Sequence, residues 1–134
     1  MTQDIITVAK RLAVVFPGQG SQTVGMMNEL AETYDVVRKT FDEASSALGF
    51  DLWEVTQDDS RLNKTEFTQP ALLTASIAIW RIVEPLLAKQ SLKPLYLAGH
   101  SLGEYSALVA SGVLSLGDAA KLVHERGKLM TAAV

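Results

Sequence analysis

The chain of 134 residues amounts to one domain or part of one, and 48% of its residues are apolar, which is enough for a sizeable core. The formal charge of −3 and the lack of a basic run argue against nucleic acid as a partner, because phosphate binding needs clustered Lys and Arg. Without cysteine there is no disulfide framework, no Cys-ligated metal and no cysteine nucleophile. We expect a soluble, cytoplasmic protein with no metal.

Residues 1–11 are predicted to form a short N-terminal extension. Its apolar run, residues 5–9, is shorter than a signal-peptide core, and no basic region precedes it. No stretch of the sequence approaches the roughly 20 apolar residues of a membrane span. We therefore expect no membrane partner.

The first predicted elements are a strand and a helix. Residues 12–16 are a continuous apolar run, which is typical of a strand buried on both faces, and a tight loop follows at residues 17–21. A helical pattern then covers residues 25–48, and Gly49 is placed to end it.

Residues 51–62 have a less regular pattern. Leu52, Trp53 and Val55 predict a short buried helix, with Trp53 as a core aromatic residue. Residues 58–60 predict a solvated loop rather than a metal site, because no histidine or further carboxylate stands near them at ligand spacing.

The strongest predicted helix begins near Gln69, with Pro70 in its first turn, and is apolar nearly all round. Such a helix is buried on most sides, so it needs packed layers around it. Pro85 is expected to kink or end the helix near Glu84, because proline removes a helical hydrogen bond.

A second strand and two more helices complete the chain. The strand is predicted at residues 95–98, a helix at 102–110, and a last helix from the capping residue Ser115 to at least Met130. The order of strand, helices, strand and helix is an α/β order, which predicts a parallel sheet.

A Gly-x-Ser-x-Gly pattern joins the second strand to the helix that follows, with Ser101 between Gly99 and Gly103. Such a strand–turn–helix is typical of a nucleophile elbow, in which the serine stands clear of the sheet and the glycines avoid clashes. The pattern alone is of weak specificity. The alternative is a glycine-rich turn with a solvated serine.

A nucleophilic serine needs backbone donors for an oxyanion and a base. The N–H of Leu102, at the helix N-terminus, is one candidate donor, and the loop around Gln19 offers a second unless it is an ordinary turn. His100 faces away from the serine, and His124 lies about 120° from the apolar stripe of the last helix, so we expect it to face solvent. The base is left unassigned, and a complete catalytic set is not expected in this chain.

Arg126 lies in the middle of that apolar stripe, close to Val123 and Met130 on the helical wheel. A charge in such a place must be paired, because an unpaired buried charge is costly. The residues leave two alternatives open, which are a guanidinium fork for a substrate carboxylate and a structural salt bridge to one of the chain's own acids.

With these motifs in order, the chain resembles the bacterial malonyl-CoA:acyl carrier protein transacylases. The resemblance covers residues 12–130 and depends on four segments, which are residues 15–26 (VFPGQGSQTVGM), 68–72 (TQPAL), 99–108 (GHSLGEYSAL) and 126–128 (RGK). Acyltransferase domains of fatty-acid and polyketide synthases are similar, but the segment around Ser101 looks more like the discrete bacterial enzyme.

The resemblance implies an α/β-hydrolase-like acyltransferase core, of which residues 12–134 are the N-terminal part. Ser101 would carry the malonyl group as an ester, the backbone N–H groups of Gln19 and Leu102 would form the oxyanion hole, and Arg126 would bind the malonyl carboxylate. It implies malonyl-CoA and acyl carrier protein as substrates in fatty acid biosynthesis. No metal or other cofactor is implied, and we expect a monomer.

The departure from the family is length. Family members are about twice as long or more, and their second half supplies the catalytic histidine, a supporting glutamine and a small ferredoxin-like subdomain that is absent here. These 134 residues alone are therefore expected to be inactive. The other hypotheses are a serine hydrolase of the esterase type and an inactive module that only binds its partner. Arg126 separates the transacylase from an esterase, which needs no carboxylate clamp.

Overall fold

The computed structural model describes residues 11–133, so the predicted extension at 1–11 lies almost wholly outside the described residues. Two strands and seven helices are formed within that range. In chain order they are β1 (Ala13–Phe16), α1 (Asn28–Thr33), α2 (Asp35–Leu48), α3 (Leu52–Thr56), α4 (Asp59–Leu62), α5 (Thr65–Lys89), β2 (Tyr96–Gly99), α6 (Leu102–Ala110) and α7 (Leu116–Ala132).

The two strands pair in parallel, which confirms the predicted α/β order with a parallel sheet. The register sets Ala13 beside Tyr96 and Phe16 beside Gly99. Both strands therefore end at the same edge of the sheet. The loop after β1 and the turn before α6 leave the sheet side by side at that edge.

The prediction that the first strand is buried on both faces is wrong. Phe16 is buried against Trp80 of α5 and Ala107 of α6, but Val15 is 72% exposed. Successive strand residues point to opposite faces, and the described helices cover only one face of this two-stranded sheet. The apolar run indicated a strand but could not show what covers it.

α5 is the central helix of the core and packs against α2 and α7. It begins at Thr65, four residues before the predicted start, and it continues through Pro85 to Lys89. Both differences have one cause. A proline removes a single helical hydrogen bond, and the burial of a long apolar helix outweighs that loss.

α5 is also long and apolar enough to span a membrane by length and composition, with a mean hydropathy of 1.6 over an 18-residue window. The expectation that no stretch approaches a membrane span is therefore wrong on composition. Half of that window is buried inside the fold, as is usual for a core helix. The absence of a membrane partner stays a prediction.

Asp58 caps α4, and residues 59 and 60 are its first two residues, so the prediction of a loop there is wrong, although both residues are solvent-exposed as expected. The Asp58 carboxylate caps α4 by accepting hydrogen bonds from the Ser60 N–H at 3.0 Å and the Ser60 hydroxyl at 2.7 Å. The Ser60 hydroxyl, followed by the Arg61 guanidinium, lowers the pKa of Asp58 below its ordinary value. Other local predictions are confirmed, since Trp53 is buried and Gly49 ends α2 with a φ of 85°.

Candidate active site

Ser101 occupies a strained turn between β2 and α6. Its φ of 57° and ψ of −116° are unusual for a residue with a side chain. A Cβ on Gly99 would lie 2.2 Å from the backbone of Gly103, and a Cβ on Gly103 would lie 2.3 Å from the Phe16 carbonyl oxygen. Glycine is therefore required on both sides of the serine, because the start of α6 lies against the ends of both strands.

Arg126 reaches this serine from α7. Its Nη2 donates a hydrogen bond to Ser101 Oγ at 2.9 Å, and its Nη1 donates to Gln69 Oε1 at 2.7 Å. The guanidinium carbon also lies 5.5 Å from the centre of the Tyr105 ring. Within residues 11–133 these hydrogen bonds go to neutral groups and no acid pairs with the guanidinium, so the salt-bridge alternative is not supported.

Gln69 was missed as a site residue by the sequence reasoning. Gln69 lies on α5 and is only 1% exposed, and its Nε2 donates a hydrogen bond to Gln19 Oε1 at 3.0 Å. Gln19 in turn donates to Thr65 Oγ1 at 3.2 Å. A hydrogen-bonded chain therefore runs from the loop after β1 through Gln69 and Arg126 to Ser101. The available signal was a glutamine in a helix predicted to be buried, because a buried amide must find partners.

The two segments predicted to donate to an oxyanion lie next to each other. A Cβ on Gly18 would lie 3.3 Å from the His100 carbonyl oxygen, so the loop after β1 touches the turn that holds Ser101. Leu102 is the first residue of α6, and the N–H groups of a helix's first turn have no partner within that helix. The N–H groups of Gly103 and Glu104 donate to the His100 and Ser101 carbonyl oxygens at 3.1 Å each, which leaves the N–H of Leu102 as the first-turn donor beside the serine, together with the partial positive charge of the helix N-terminus.

The prediction that His124 faces solvent is wrong. Its side chain is half-buried, its Nδ1 lies 2.7 Å from the Glu66 carbonyl oxygen, and its ring lies against Phe50 and Phe67. The prediction took account only of the apolar stripe of α7. The first turn of α5 covers a second side of that helix, and His124 lies on this side. His100 is exposed. In the described part of the chain no histidine is hydrogen-bonded to Ser101, and the base remains unassigned.

A shallow cleft of about 440 Å³ lies beside Arg126, between α6 and α7. Its walls are mostly apolar, and they are formed by Tyr105, Leu122, Glu125, Arg126, Leu129, Met130 and Ala133. Met130 is 39% exposed, so the apolar stripe predicted for the last helix is less buried at its end than expected. Between residues 11 and 133, no three His, Asp or Glu side chains are grouped as metal ligands would be.

The chain is similar to acyl transferases over nearly all of its length. A family profile described as acyl transferase domain matches residues 13–134. The malonyl CoA-acyl carrier protein transacylase of Salmonella typhimurium is 56% identical over 126 residues, which are 92% of this chain and 40% of that protein. The chain thus spans about 40% of the length of the curated relatives it matches.

Solved structures agree with this similarity. FabD from Acinetobacter baumannii is 63% identical with a TM-score of 0.83, over 91% of this chain and 38% of that one. A type II PKS acyl-carrier protein in complex with its malonyl-transacylase gives 52% identity and a TM-score of 0.85, over 93% and 40% of the two chains.

Proposed function

The chain belongs to the acyl transferase domain family, and we propose that the protein transfers a malonyl group from coenzyme A to the phosphopantetheine thiol of acyl carrier protein. Relatives named malonyl CoA-acyl carrier protein transacylase and a neighbour solved in complex with an acyl-carrier protein support this proposal. The reaction would serve fatty acid biosynthesis in the cytoplasm. It is an acyl exchange between thiols, so it requires no metal or redox cofactor.

The observation that carries the proposal is the contact of Arg126 with Ser101. A guanidinium 2.9 Å from the serine oxygen places a fixed positive charge beside the atom that would carry the acyl group. Malonyl differs from acetyl by a carboxylate, which a guanidinium binds well through paired N–H donors. The buried amide of Gln69 holds the same guanidinium at 2.7 Å, so its position is set before a substrate arrives.

The proposed malonyl transfer takes place in two steps. In the first, Ser101 Oγ attacks the malonyl thioester carbonyl, the C–S bond breaks, and the coenzyme A thiol leaves with the proton that Oγ gives up. In the second, the phosphopantetheine thiol attacks the serine ester, the C–O bond breaks and Oγ regains a proton. The turn of Ser101 acts as a nucleophile elbow, and the N–H groups of Gln19 and Leu102 bind the oxyanion of each tetrahedral intermediate.

Labelled malonyl-CoA tests the proposal. Incubated with the native full-length protein, it should leave one malonyl ester on Ser101, which mass spectrometry of a proteolytic digest would locate, and a Ser101→Ala variant should carry none. If the unmodified protein carries no ester, the transacylase proposal is wrong and the hypothesis of an inactive binding module is favoured. Release of free malonate without transfer to the carrier protein would instead favour the esterase alternative.

A second experiment tests the carboxylate clamp. Arg126→Ala should lower kcat/KM for malonyl transfer by roughly 100-fold, because charge-assisted hydrogen bonds are lost, and should affect acetyl transfer far less. Arg81→Ala is the matched control, since Arg81 pairs with Glu43 of α2. An equal loss for malonyl and acetyl would contradict the clamp.

A further inference from the structure

Pro70 leaves a gap in the hydrogen bonding of α5. In an α-helix the carbonyl of residue 66 accepts from the N–H of residue 70, and proline has no N–H. His124 Nδ1 of α7 lies 2.7 Å from this Glu66 carbonyl oxygen. A carbonyl oxygen can only accept, so Nδ1 carries the hydrogen and donates it. The histidine therefore supplies the donor that Pro70 lacks.

This hydrogen bond lies beside a close contact between the two helices. A Cβ on Gly127, one turn after His124, would lie 2.6 Å from Glu66 Cα and 2.7 Å from the Thr65 carbonyl oxygen. The imidazole ring lies 5.2 Å from the Phe50 ring and 5.8 Å from the Phe67 ring, centre to centre. The hydrogen bond and the glycine contact therefore help to fix where α7 packs on α5, together with the apolar residues of α7 that join the core.

We propose that His124 is a positioning residue for Arg126. His124 binds α5 at Glu66, and Arg126 binds the same helix one turn later at Gln69. A slide or rotation of α7 that breaks the first bond also moves the guanidinium away from Gln69 and Ser101. The inference rests on the proposed function of Arg126, because it assigns His124 the task of holding the carboxylate clamp in place.

The first test compares two substitutions of His124 in the full-length protein. His124→Asn keeps an amide N–H donor near the place of Nδ1, whereas His124→Leu removes the donor. A displacement of about 1 Å costs a positioned group much of its effect. His124→Leu should therefore lower the malonyl-to-acetyl ratio of kcat/KM by about tenfold, and His124→Asn should largely restore it. A lower Tm with an unchanged ratio in His124→Leu would overturn the inference.

The second test does not depend on catalysis. Pro70→Ala restores an N–H that can bond the Glu66 carbonyl inside α5. His124→Leu should therefore lower the Tm clearly in the native background and much less in the Pro70→Ala background. Equal losses in the two backgrounds would overturn the assigned hydrogen bond. Absence of malonyl transfer in the unmodified protein would overturn the proposed function instead, which keeps the two failures distinct.

Discussion

The two halves of α5 have the same apolar character in sequence and different surroundings in the fold. Every residue from 68 to 78 is buried, whereas Ile79 and Leu86 in the second half are 40% and 49% exposed. α5 packs against α2 and α7. In its second half, the Trp80 ring packs edge-on against Phe16 of β1, and Leu87 packs against the same cluster. Burial along this helix is therefore set by its neighbours and not by its own pattern.

The two halves also differ in how they treat polar groups. In the first half, the buried Gln69 is hydrogen-bonded to Gln19 and Arg126, and it becomes part of the candidate site. In the second half, Arg81 pairs with Glu43 at the surface. Hydrogen bonds of a buried side chain such as Gln69 are stronger and better fixed than an ion pair exposed to water. The first half therefore holds Arg126 in place, whereas the Arg81 ion pair of the second half adds only modest stability.

The largest expected effect is a loss of core packing in the first half. Leu73 is fully buried, so Leu73→Ala should lower the free energy of unfolding by about 2–5 kcal/mol through lost burial and the cavity left behind. Leu86→Ala, the same change in the exposed half, should cost about 1 kcal/mol or less. Urea unfolding measures both values. Similar losses for the two variants would contradict the difference between the halves.

The second effect concerns the contact between α7 and the first turn of α5. Gly127→Ala should lower the free energy of unfolding by about 1–3 kcal/mol, because its Cβ would meet backbone atoms of α5. Gly117→Ala in the same helix is the control, since its Cβ would lie 3.2 Å from Ala47 Cβ, a contact that a movement of a few tenths of an ångström would relieve. Thermal unfolding compares them. A Gly127→Ala protein as stable as the control would show that the helices can separate without cost.

Local rules predicted much of this fold from sequence. The parallel sheet, the glycine end of α2, the Ser115 cap of α7 and the turn at Ser101 follow from short-range chemistry and element order. The exposure of Val15 could not be predicted, because the apolar sequence of a strand does not show which elements cover its two faces. The early start of α5 did not follow either, since a proline is more usual in the first turn than in the interior.

The candidate site was predictable only in part. Ser101 and Arg126 stood out individually, one by its motif and the other by its charge on an apolar stripe. Their hydrogen bond, and the link through Gln69, join residues far apart in the chain. The hydrophobic periodicity of one helix does not indicate which residues of other elements its side chains will contact. His124 was misplaced for the same reason, because its partner Glu66 lies on a different helix.

A smaller effect is expected at the proline of the exposed half. Pro85→Ala restores an N–H within α5 and should raise the free energy of unfolding by about 1 kcal/mol, a fraction of the cost of proline in a helix interior. Differential scanning calorimetry would measure the gain. A loss of stability would mean that the proline ring itself makes contacts that matter, and the second half would then be less independent of the core than we infer.

The smallest effect concerns the ion pair that ties this half to α2. Arg81 Nη1 lies 3.1 Å from Glu43 Oε1 and 3.1 Å from Thr40 Oγ1, and both charged side chains are partly exposed. Glu43→Gln should therefore lower the free energy of unfolding by only about 0.2–1 kcal/mol, and the difference should shrink at high salt because exposed charges are screened. Urea unfolding at low and high ionic strength measures it. A large loss of stability that high salt does not reduce would mean that this ion pair is shielded from water. Arg81 would then contradict the difference between the two halves of α5.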